Sequence, residues 1–180
     1  ALDTVTIPET VTDEDNKEYK VVGIGTGAFA GTDTGDGANA TLKKVVLSEN
    51  LEFIGGSAFK YCKNLTDIDF SKATNLERIG DSAFYYTFQT NMDLSACTAL
   101  TTVENNAFLF GARASTNTIK LPENITAWGK HAFSNGGKTT TVFVNAPSKT
   151  LETLSDVLSR RDDFFTLGTT SSEAGNLSYT

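Results

Sequence analysis

The sequence predicts a repeat solenoid, mostly β, with a parallel sheet on one face and short helical turns. A hexapeptide that ends in Ala-Phe occurs five times, at residues 24–29, 54–59, 79–84, 103–108 and 128–133. Its phenylalanines are 30, 25, 24 and 25 residues apart. Self-similarity at a period of about 20–50 residues is typical of repeat arrays. Apolar and polar residues alternate before most copies, which predicts a strand with one buried face.

Each hexapeptide lies inside a longer unit. The unit around the second copy reads Leu42-x-x-Val45-x-Leu47, then Leu51-x-x-Ile54-Gly55-x-x-Ala58-Phe59-x-x-Cys62. The glycine suits a turn that needs a positive φ or has no room for a side chain. Stacking one unit on the next would bury a continuous core that includes the phenylalanines. Glu104 replaces the glycine in the fourth copy, so we expect an altered turn there.

These units resemble the BspA-like leucine-rich repeats of bacterial cell-surface and secreted proteins. The family pattern has the form L-x-x-[VI]-x-[LI]-P-x-x-[LIV]-x-x-I-G-x-x-A-F-x-x-C, and the resemblance extends from Val5 to about Leu167. Only Cys62 fills the cysteine position, where other copies have Thr32, Thr87, Gly111 and Gly136. The resemblance implies an α/β leucine-rich-repeat solenoid, right-handed and mostly β, that ends in a capping helix.

We predict one leucine-rich-repeat domain over residues 1–180. Residues 1–41 form an N-terminal capping segment with a hairpin around Thr12–Glu18 and a loop over 30–40. Residues 42–145 are the regular repeats, with strands centred near Val45, Ile68, Met92 and Ile119 and a further strand over Val142-Phe143-Val144. Residues 146–180 are the C-terminal cap and tail. A helix face is indicated there by Leu151, Leu154 and Leu158, and the tail either wanders or returns as an edge strand.

Composition describes an ordinary folded protein, with 39% hydrophobic and 21% charged residues. The net charge of −7 argues against nucleic-acid binding, which uses clustered Lys and Arg. No apolar run approaches the roughly 18 residues that a membrane helix needs. Ala1 does not open a secretory signal, so we interpret it as a mature or trimmed terminus.

The two cysteines, Cys62 and Cys97, could form one disulfide or none. They fall at different places in their repeats, whereas a disulfide needs Cα atoms within about 7 Å. We therefore favour two buried free thiols that pack as small hydrophobes.

The sequence offers no enzyme chemistry, and we predict no catalytic residue, cofactor or metal. His131 is the single histidine and occupies a variable position of the hexapeptide, where a catalytic triad is not expected. One His and two separated Cys cannot supply the four ligands of zinc. The loop residues Asp33, Asp36 and Asn39 lack the order of a calcium loop, so a solvated loop is favoured.

The outward side of the strands is the candidate ligand face. Side chains that flank the buried position of each strand point away from the core. Adjacent repeats would set these residues about 4.8 Å apart. We then expect an acidic square flanked by lysines, formed by Lys44, Asp67, Asp69, Asn91, Asp93 and Lys120. The alternatives are a solvated charged ladder, a ligand-binding face and a weak cation site.

The resemblance implies a non-enzymatic binding module that is extracellular or on the cell surface. Its partner would be a protein or glycan of a host or neighbouring cell, contacted through the repeat surface, with no membrane insertion in this segment. The alternative is a structural spacer domain of a larger surface protein.

Overall fold

The computed structural model describes residues 3–34, 39–89, 91–109, 116–122, 124–125, 127–133, 139–145, 172–173 and 176–179. Over these ranges the chain forms fifteen strands and no helix. The strands are β1 Thr4–Thr6, β2 Thr10–Thr12, β3 Glu18–Lys20, β4 Gly23–Ile24, β5 Lys44–Val46, β6 Phe53–Ile54, β7 Asp67–Asp69, β8 Arg78–Ile79, β9 Asn91–Asp93, β10 Thr102–Val103, β11 Thr116–Leu121, β12 Ala127–Trp128, β13 Thr139–Asn145, β14 Ser172–Glu173 and β15 Asn176–Tyr179.

The predicted strands form parallel ladders between successive repeats. β5 pairs with β1 and β7, so that Val45 lies opposite Val5 and Ile68. β11 pairs with β9 and β13 in the same manner, with Ile119 opposite Met92. β15 pairs antiparallel with β13, which confirms the return of the tail as a strand. The five predicted strand centres are thus confirmed.

A second parallel sheet was not predicted from the sequence. It contains five strands of two residues each, in the order β12-β10-β8-β6-β4. These strands carry the apolar residue that opens each hexapeptide, and all five of these residues are buried: Ile24, Ile54, Ile79, Val103 and Trp128. The chain therefore pairs with its neighbours on a second side of each repeat, where the sequence indicated only a turn.

The prediction of short helical turns at the Ala-Phe segments is wrong for the described residues. These segments form hydrogen-bonded turns, in which Ala58 N donates to Gly55 O at 3.2 Å. The N–H group of Phe59 donates instead to Ala83 O in the next repeat, at 2.7 Å. A helix cannot continue there, because its N–H groups would have to bond within the same segment.

The residue before each Ala-Phe pair has a left-handed backbone. Its φ lies between 53° and 66° in all five copies, at Gly27, Ser57, Ser82, Asn106 and His131. Small or polar residues that tolerate this region fill four of the five positions. The variation in residue type at the position of His131 therefore follows one conformational rule.

The five phenylalanines stack in register along the core. Ring centroids are 5.1 Å apart for Phe29–Phe59 and Phe59–Phe84, 5.0 Å for Phe84–Phe108, and 5.8 Å for Phe108–Phe133. The planes are within 9° of parallel at every step. This confirms the predicted stacking and joins the repeats into one apolar cluster.

In the second, third and fifth hexapeptides the glycine is needed for close approach rather than for a positive φ. A Cβ atom at Gly80 would lie 2.6 Å from Gly56 N of the preceding repeat. The expected alteration at Glu104 does not occur. Glu104 N still donates to Ile79 O at 2.9 Å, and Asn106 keeps the left-handed φ of 53°. Its carboxylate reaches back to the preceding repeat and accepts from Asp81 N at 2.9 Å.

The N-terminal hairpin is confirmed, with Val11 opposite Tyr19 between β2 and β3. Both of these side chains are exposed, and a capping role for the hairpin stays a prediction. The predicted helix around Leu151–Leu158 lies outside the described residues. The domain boundaries and the right-handed winding also stay predictions.

Candidate ligand-binding face

A cleft divides the strand face between β7 and β9. Every other pair of successive strands on this face is hydrogen-bonded, whereas β7 and β9 are not paired. Leu47 N donates to Asp69 O at 3.1 Å on one side, and Leu94 N donates to Lys120 O at 2.8 Å on the other. No equivalent bond joins β7 to β9 among the described residues.

The separation is confined to the strands. Before them Phe88 N donates to Leu65 O at 3.1 Å, and after them Ala99 N donates to Thr74 O at 3.2 Å. The two neighbouring repeats are therefore hydrogen-bonded to each other before and after these strands, but not along the strands themselves. The cleft is about 530 Å³ in volume, which falls in the range of small-ligand sites.

The sequence link before β9 differs from the link before β7. Ile68 follows Phe59 by nine residues, and Met92 follows Phe84 by eight. Buried Thr87 and Gln89 occupy this link, with Thr87 Oγ1 at 2.7 Å from Gln89 Oε1.

The lining of the cleft combines charged walls with an apolar floor. Five of the six predicted face residues line it: Lys44, Asp67, Asp69, Asp93 and Lys120. The floor includes Ile68, which is partly buried, and Phe70 and Met92, which are 1% and 3% exposed. Backbone pairing sets Asn91 opposite Thr118, but the Asn91 side chain lies outside what the structure describes.

Each wall of the cleft carries one ion pair between neighbouring strands. Lys44 Nζ lies 2.7 Å from Asp67 Oδ2, and Lys120 Nζ lies 2.9 Å from Asp93 Oδ2. The hydrogen bond from Lys44 to Asp67 raises the pKa of the ammonium group, and the charge of Asp67 adds to this. The predicted acidic square is wrong in one respect: β7 and β9 are separated, so its two rows are not adjacent.

Two carboxylates of the cleft are held by the turns that follow their strands. Asp69 Oδ1 accepts from Ser71 N at 2.9 Å, and Asp93 Oδ1 accepts from Ser95 N at 3.1 Å. Hydrogen bonds from the Ser71 side chain and backbone lower the pKa of Asp69. Burial acts to raise the pKa of Asp93, but Ser95 and Lys120 outweigh it and the net shift is downward.

The lysine and serine partners compensate the charge of these carboxylates, and a weak cation site stays a prediction. Electrostatic repulsion between close carboxylates would raise a pKa, whereas the pKa values of Asp69 and Asp93 are lowered. No group of three or more His, Cys, Asp or Glu among the described residues could hold a metal ion. The cleft instead offers paired charges that can exchange partners above an apolar floor.

The histidine, the tryptophan and the two cysteines occupy turn or core positions of the repeats. His131 holds the left-handed turn position. Trp128 is 5% exposed and packs edge-on against Phe133 at 6.3 Å. Cys62 and Cys97 are both free and buried, as the sequence favoured. Burial raises the pKa of Cys62 to about 11 and that of Cys97 to about 12, so neither is a reactive thiol.

Sequence reasoning missed the serines and the apolar floor of the cleft. The signal for the serines was present, because Asp-x-Ser occurs as Asp69-Phe70-Ser71 and again as Asp93-Leu94-Ser95. The floor was missed because Ile68 and Met92 were assigned wholly to the core. Ile68 is partly exposed because β7 does not pair with β9.

Parallel strands, short turns and a stacked repeat core define this chain as a leucine-rich repeat protein. It belongs to the BspA type leucine rich repeat family, whose repeat region matches residues 37–156 in six copies. The resemblance inferred from the Ala-Phe hexapeptides is thereby confirmed.

Several solved structures are similar to the chain. A leucine-rich repeat protein from Bacteroides capillosus is 25% identical, with 78% of this chain and 77% of that chain covered and a TM-score of 0.47. A leucine rich cell surface protein from Faecalibacterium prausnitzii is 20% identical, with 82% of this chain and 48% of that chain covered and a TM-score of 0.43. The chain thus spans about half the length of the second protein. No curated protein matches the chain. Among the described residues, no helix has the length and apolar character to cross a membrane.

Proposed function

We propose that this chain is a right-handed solenoid that acts as a non-enzymatic binding module of a bacterial surface or secreted protein. It would make protein or glycan contacts through the strand face, with a C-terminal helix over residues 148–158 closing the repeat array. The observation that carries the proposal is the cleft between β7 and β9. Family membership supports a surface or secreted location, because this chain carries BspA type repeats and such repeats are those of bacterial cell-surface and secreted proteins.

The cleft is suited to a partner that presents a basic group beside an apolar one. Asp67 and Asp93 are half-exposed at 54% and 53% of their side chains, so a ligand can reach them. Each has a lysine that an incoming ammonium or guanidinium group can replace, and such an exchange of exposed ion pairs costs little. On the apolar floor, Ile68 is partly exposed and can add buried area, whereas Phe70 and Met92 are already almost fully buried.

The test is a binding screen of the intact domain on an array of glycans and extracellular-matrix proteins. A hit is then titrated against a variant that carries Asp67→Asn, Asp69→Asn and Asp93→Asn. A matched control carries Glu14→Gln, Asp15→Asn and Glu18→Gln on the exposed hairpin, which changes the net charge equally. We expect the cleft variant alone to bind more weakly, and wild-type affinity to fall as salt rises.

Equal affinities of the cleft variant and the control variant would show that the ligand binds outside the cleft. The alternative function, a spacer domain of a larger surface protein, has a separate signature. A spacer would retain no ligand on the array, and deleting the domain would shorten the parent protein without altering its binding.

A further inference from the structure

A cluster of tyrosines and lysines lies on the turns that follow two of the stacked phenylalanines. The rings of Tyr61, Tyr85 and Tyr86 contact one another, with centroids 4.8 to 5.9 Å apart. Lys60 Nζ lies 5.2 Å from the Tyr61 centroid and 5.1 Å from that of Tyr85. Lys63 Nζ lies 6.0 Å from the Tyr61 ring. We call these five residues the tyrosine–lysine patch, and none of them lines the strand-face cleft.

The backbone of the patch is held in a costly conformation. Tyr61 has a φ of 61° and Tyr86 a φ of 58°. A left-handed backbone is unfavourable for residues other than glycine, because the Cβ atom comes too close to the following carbonyl oxygen. The side chains that best tolerate it are short and polar, yet tyrosine stands here in two neighbouring repeats. Strain of this kind concentrates at functional sites, and it directs two aromatic side chains to one spot.

The lysines of the patch differ from the four basic residues that form ion pairs among the described residues. Lys43, Lys44, Arg78 and Lys120 each have a carboxylate within 3.2 Å. Among the described residues, no carboxylate oxygen lies within 4 Å of Lys60 or Lys63. Lys63 donates instead to the backbone oxygen of Asp33. A chain of net charge −7 thus presents two ammonium groups that have no carboxylate partner within the described part of the chain, beside three phenol rings.

The arrangement of the rings distinguishes between two kinds of acidic partner, a polysaccharide and a polypeptide. Stacking of a flat sugar needs an open ring face, but Lys60 already covers faces of Tyr61 and Tyr85. The Tyr61 and Tyr85 planes are also nearly perpendicular, at 84°. A partner can therefore contact the ring edges, the hydroxyl groups and the ammonium groups of the patch. Tyrosine is enriched at protein interfaces because it combines apolar area with a hydrogen-bonding tip.

We propose that the tyrosine–lysine patch is a second interaction surface, which binds an acidic polypeptide segment. Carboxylates of the segment would pair with Lys60 and Lys63, and its apolar side chains would pack on Tyr86, which is 39% exposed. This surface goes beyond the proposed function of the strand face and can fail without affecting it.

The probe is a short fluorescein-labelled peptide in which Glu alternates with Leu, followed by fluorescence anisotropy at low salt. The comparison peptide replaces every Glu by Lys. The patch variant is Lys60→Gln with Lys63→Gln, and the matched control is Lys20→Gln with Lys130→Gln, both of which are exposed lysines. A further variant, Tyr86→Ser, tests the aromatic part. Thermal melts establish that each variant is folded.

We expect the Glu peptide to bind and the Lys peptide not to bind. The patch variant and Tyr86→Ser should each weaken binding about tenfold, as for charge and aromatic contacts at interfaces, while the control variant keeps wild-type affinity. Absence of binding to the wild type, equal loss in the control variant, or unchanged binding by the patch variant would each overturn the proposal. Binding of the acidic polysaccharide alginate through the patch, with no binding of the Glu peptide, would also overturn it.

Discussion

The ring of Phe84 lies parallel to the ring of Phe59 at a centroid distance of 5.1 Å, with 4° between the planes. The two residues are 25 positions apart in the sequence. Phe84 also stacks on Phe108 at 5.0 Å and meets Phe70 edge-on at 6.2 Å. One side chain therefore links three successive repeats.

Removing this ring should be among the most damaging single changes in the chain. Phe84 is fully buried, and Phe84→Ala should lower the free energy of unfolding by about 3–5 kcal/mol. Phe29 is only partly buried and has one stacked neighbour, so Phe29→Ala should cost about 1–2 kcal/mol. Urea unfolding of both variants measures the difference. A smaller loss for Phe84→Ala than for Phe29→Ala would contradict the continuous stack.

Two glycines at the same repeat position provide a matched test of close packing. Neither Gly80 nor Gly25 has a positive φ. A Cβ atom at Gly80 would lie 2.6 Å from Gly56 N, whereas one at Gly25 would meet nothing within 4 Å. Gly80→Ala should therefore cost about 1–3 kcal/mol through overpacking. Gly25→Ala should be neutral or stabilise by up to about 1 kcal/mol through the unfolded state.

Thermal unfolding of the two glycine variants provides the measurement, and wild type is the reference. Equal melting temperatures for Gly80→Ala and wild type would show that the repeats separate enough to admit a methyl group. A loss of stability for Gly25→Ala would mean that this glycine has a role other than close approach.

The repeat register could be predicted from the sequence, because it rests on spacing alone. Five copies of Ala-Phe fix where each repeat begins, and the alternation of apolar and polar residues places the strands between them. Two-residue strands such as Phe53–Ile54 could not be predicted, since a pair of residues has no period. Their pairing comes from the neighbouring repeat, and a sequence read alone treats the same residues as a turn.

The candidate site was predicted in composition but not in shape. Alternation placed Asp67, Asp69 and Asp93 on the outward face, and all three line the cleft. The cleft itself depends on the absence of pairing between β7 and β9. The phenylalanine spacings of 30, 25, 24 and 25 do not indicate where pairing is lost, because strand pairing needs three-dimensional geometry. The ion pairs likewise depend on side-chain rotamers that spacing does not fix.

The left-handed position before Ala-Phe makes a prediction about side-chain choice. Ser57 has a φ of 57°, a region that β-branched residues rarely adopt. Ser57→Val should lower the free energy of unfolding by about 1–2 kcal/mol, whereas Ser57→Asn should leave it nearly unchanged. The readout is chemical denaturation of both variants. Equal stability of the Val and Asn variants would show that backbone strain at this position is not limiting.

The buried thiols predict how stability depends on pH in the alkaline range. Cys62 Sγ lies 3.0 Å from Phe29 O, and Cys97 is likewise buried in the core. Burial raises the pKa of Cys62 from 9.0 to about 11 and that of Cys97 from 9.0 to about 12. Below pH 9 the thiols are protonated in both states, so their contribution to stability is fully present. As the pH rises above 9, the unfolded chain loses protons that the folded chain retains, and the free energy of unfolding must fall.

A variant with Cys62→Ala and Cys97→Ala should therefore lose less stability than wild type between neutral pH and pH about 10. Its stability at neutral pH will be lower, because two cavities are made, so the slope with pH is the quantity to compare. Urea unfolding across the range measures that slope in both proteins. In native wild type the thiols should also resist Ellman's reagent at neutral pH and react on unfolding, since the thiolate is the reactive form. Parallel slopes for the two proteins, or rapid reaction of the native thiols, would show that the cysteines are open to solvent.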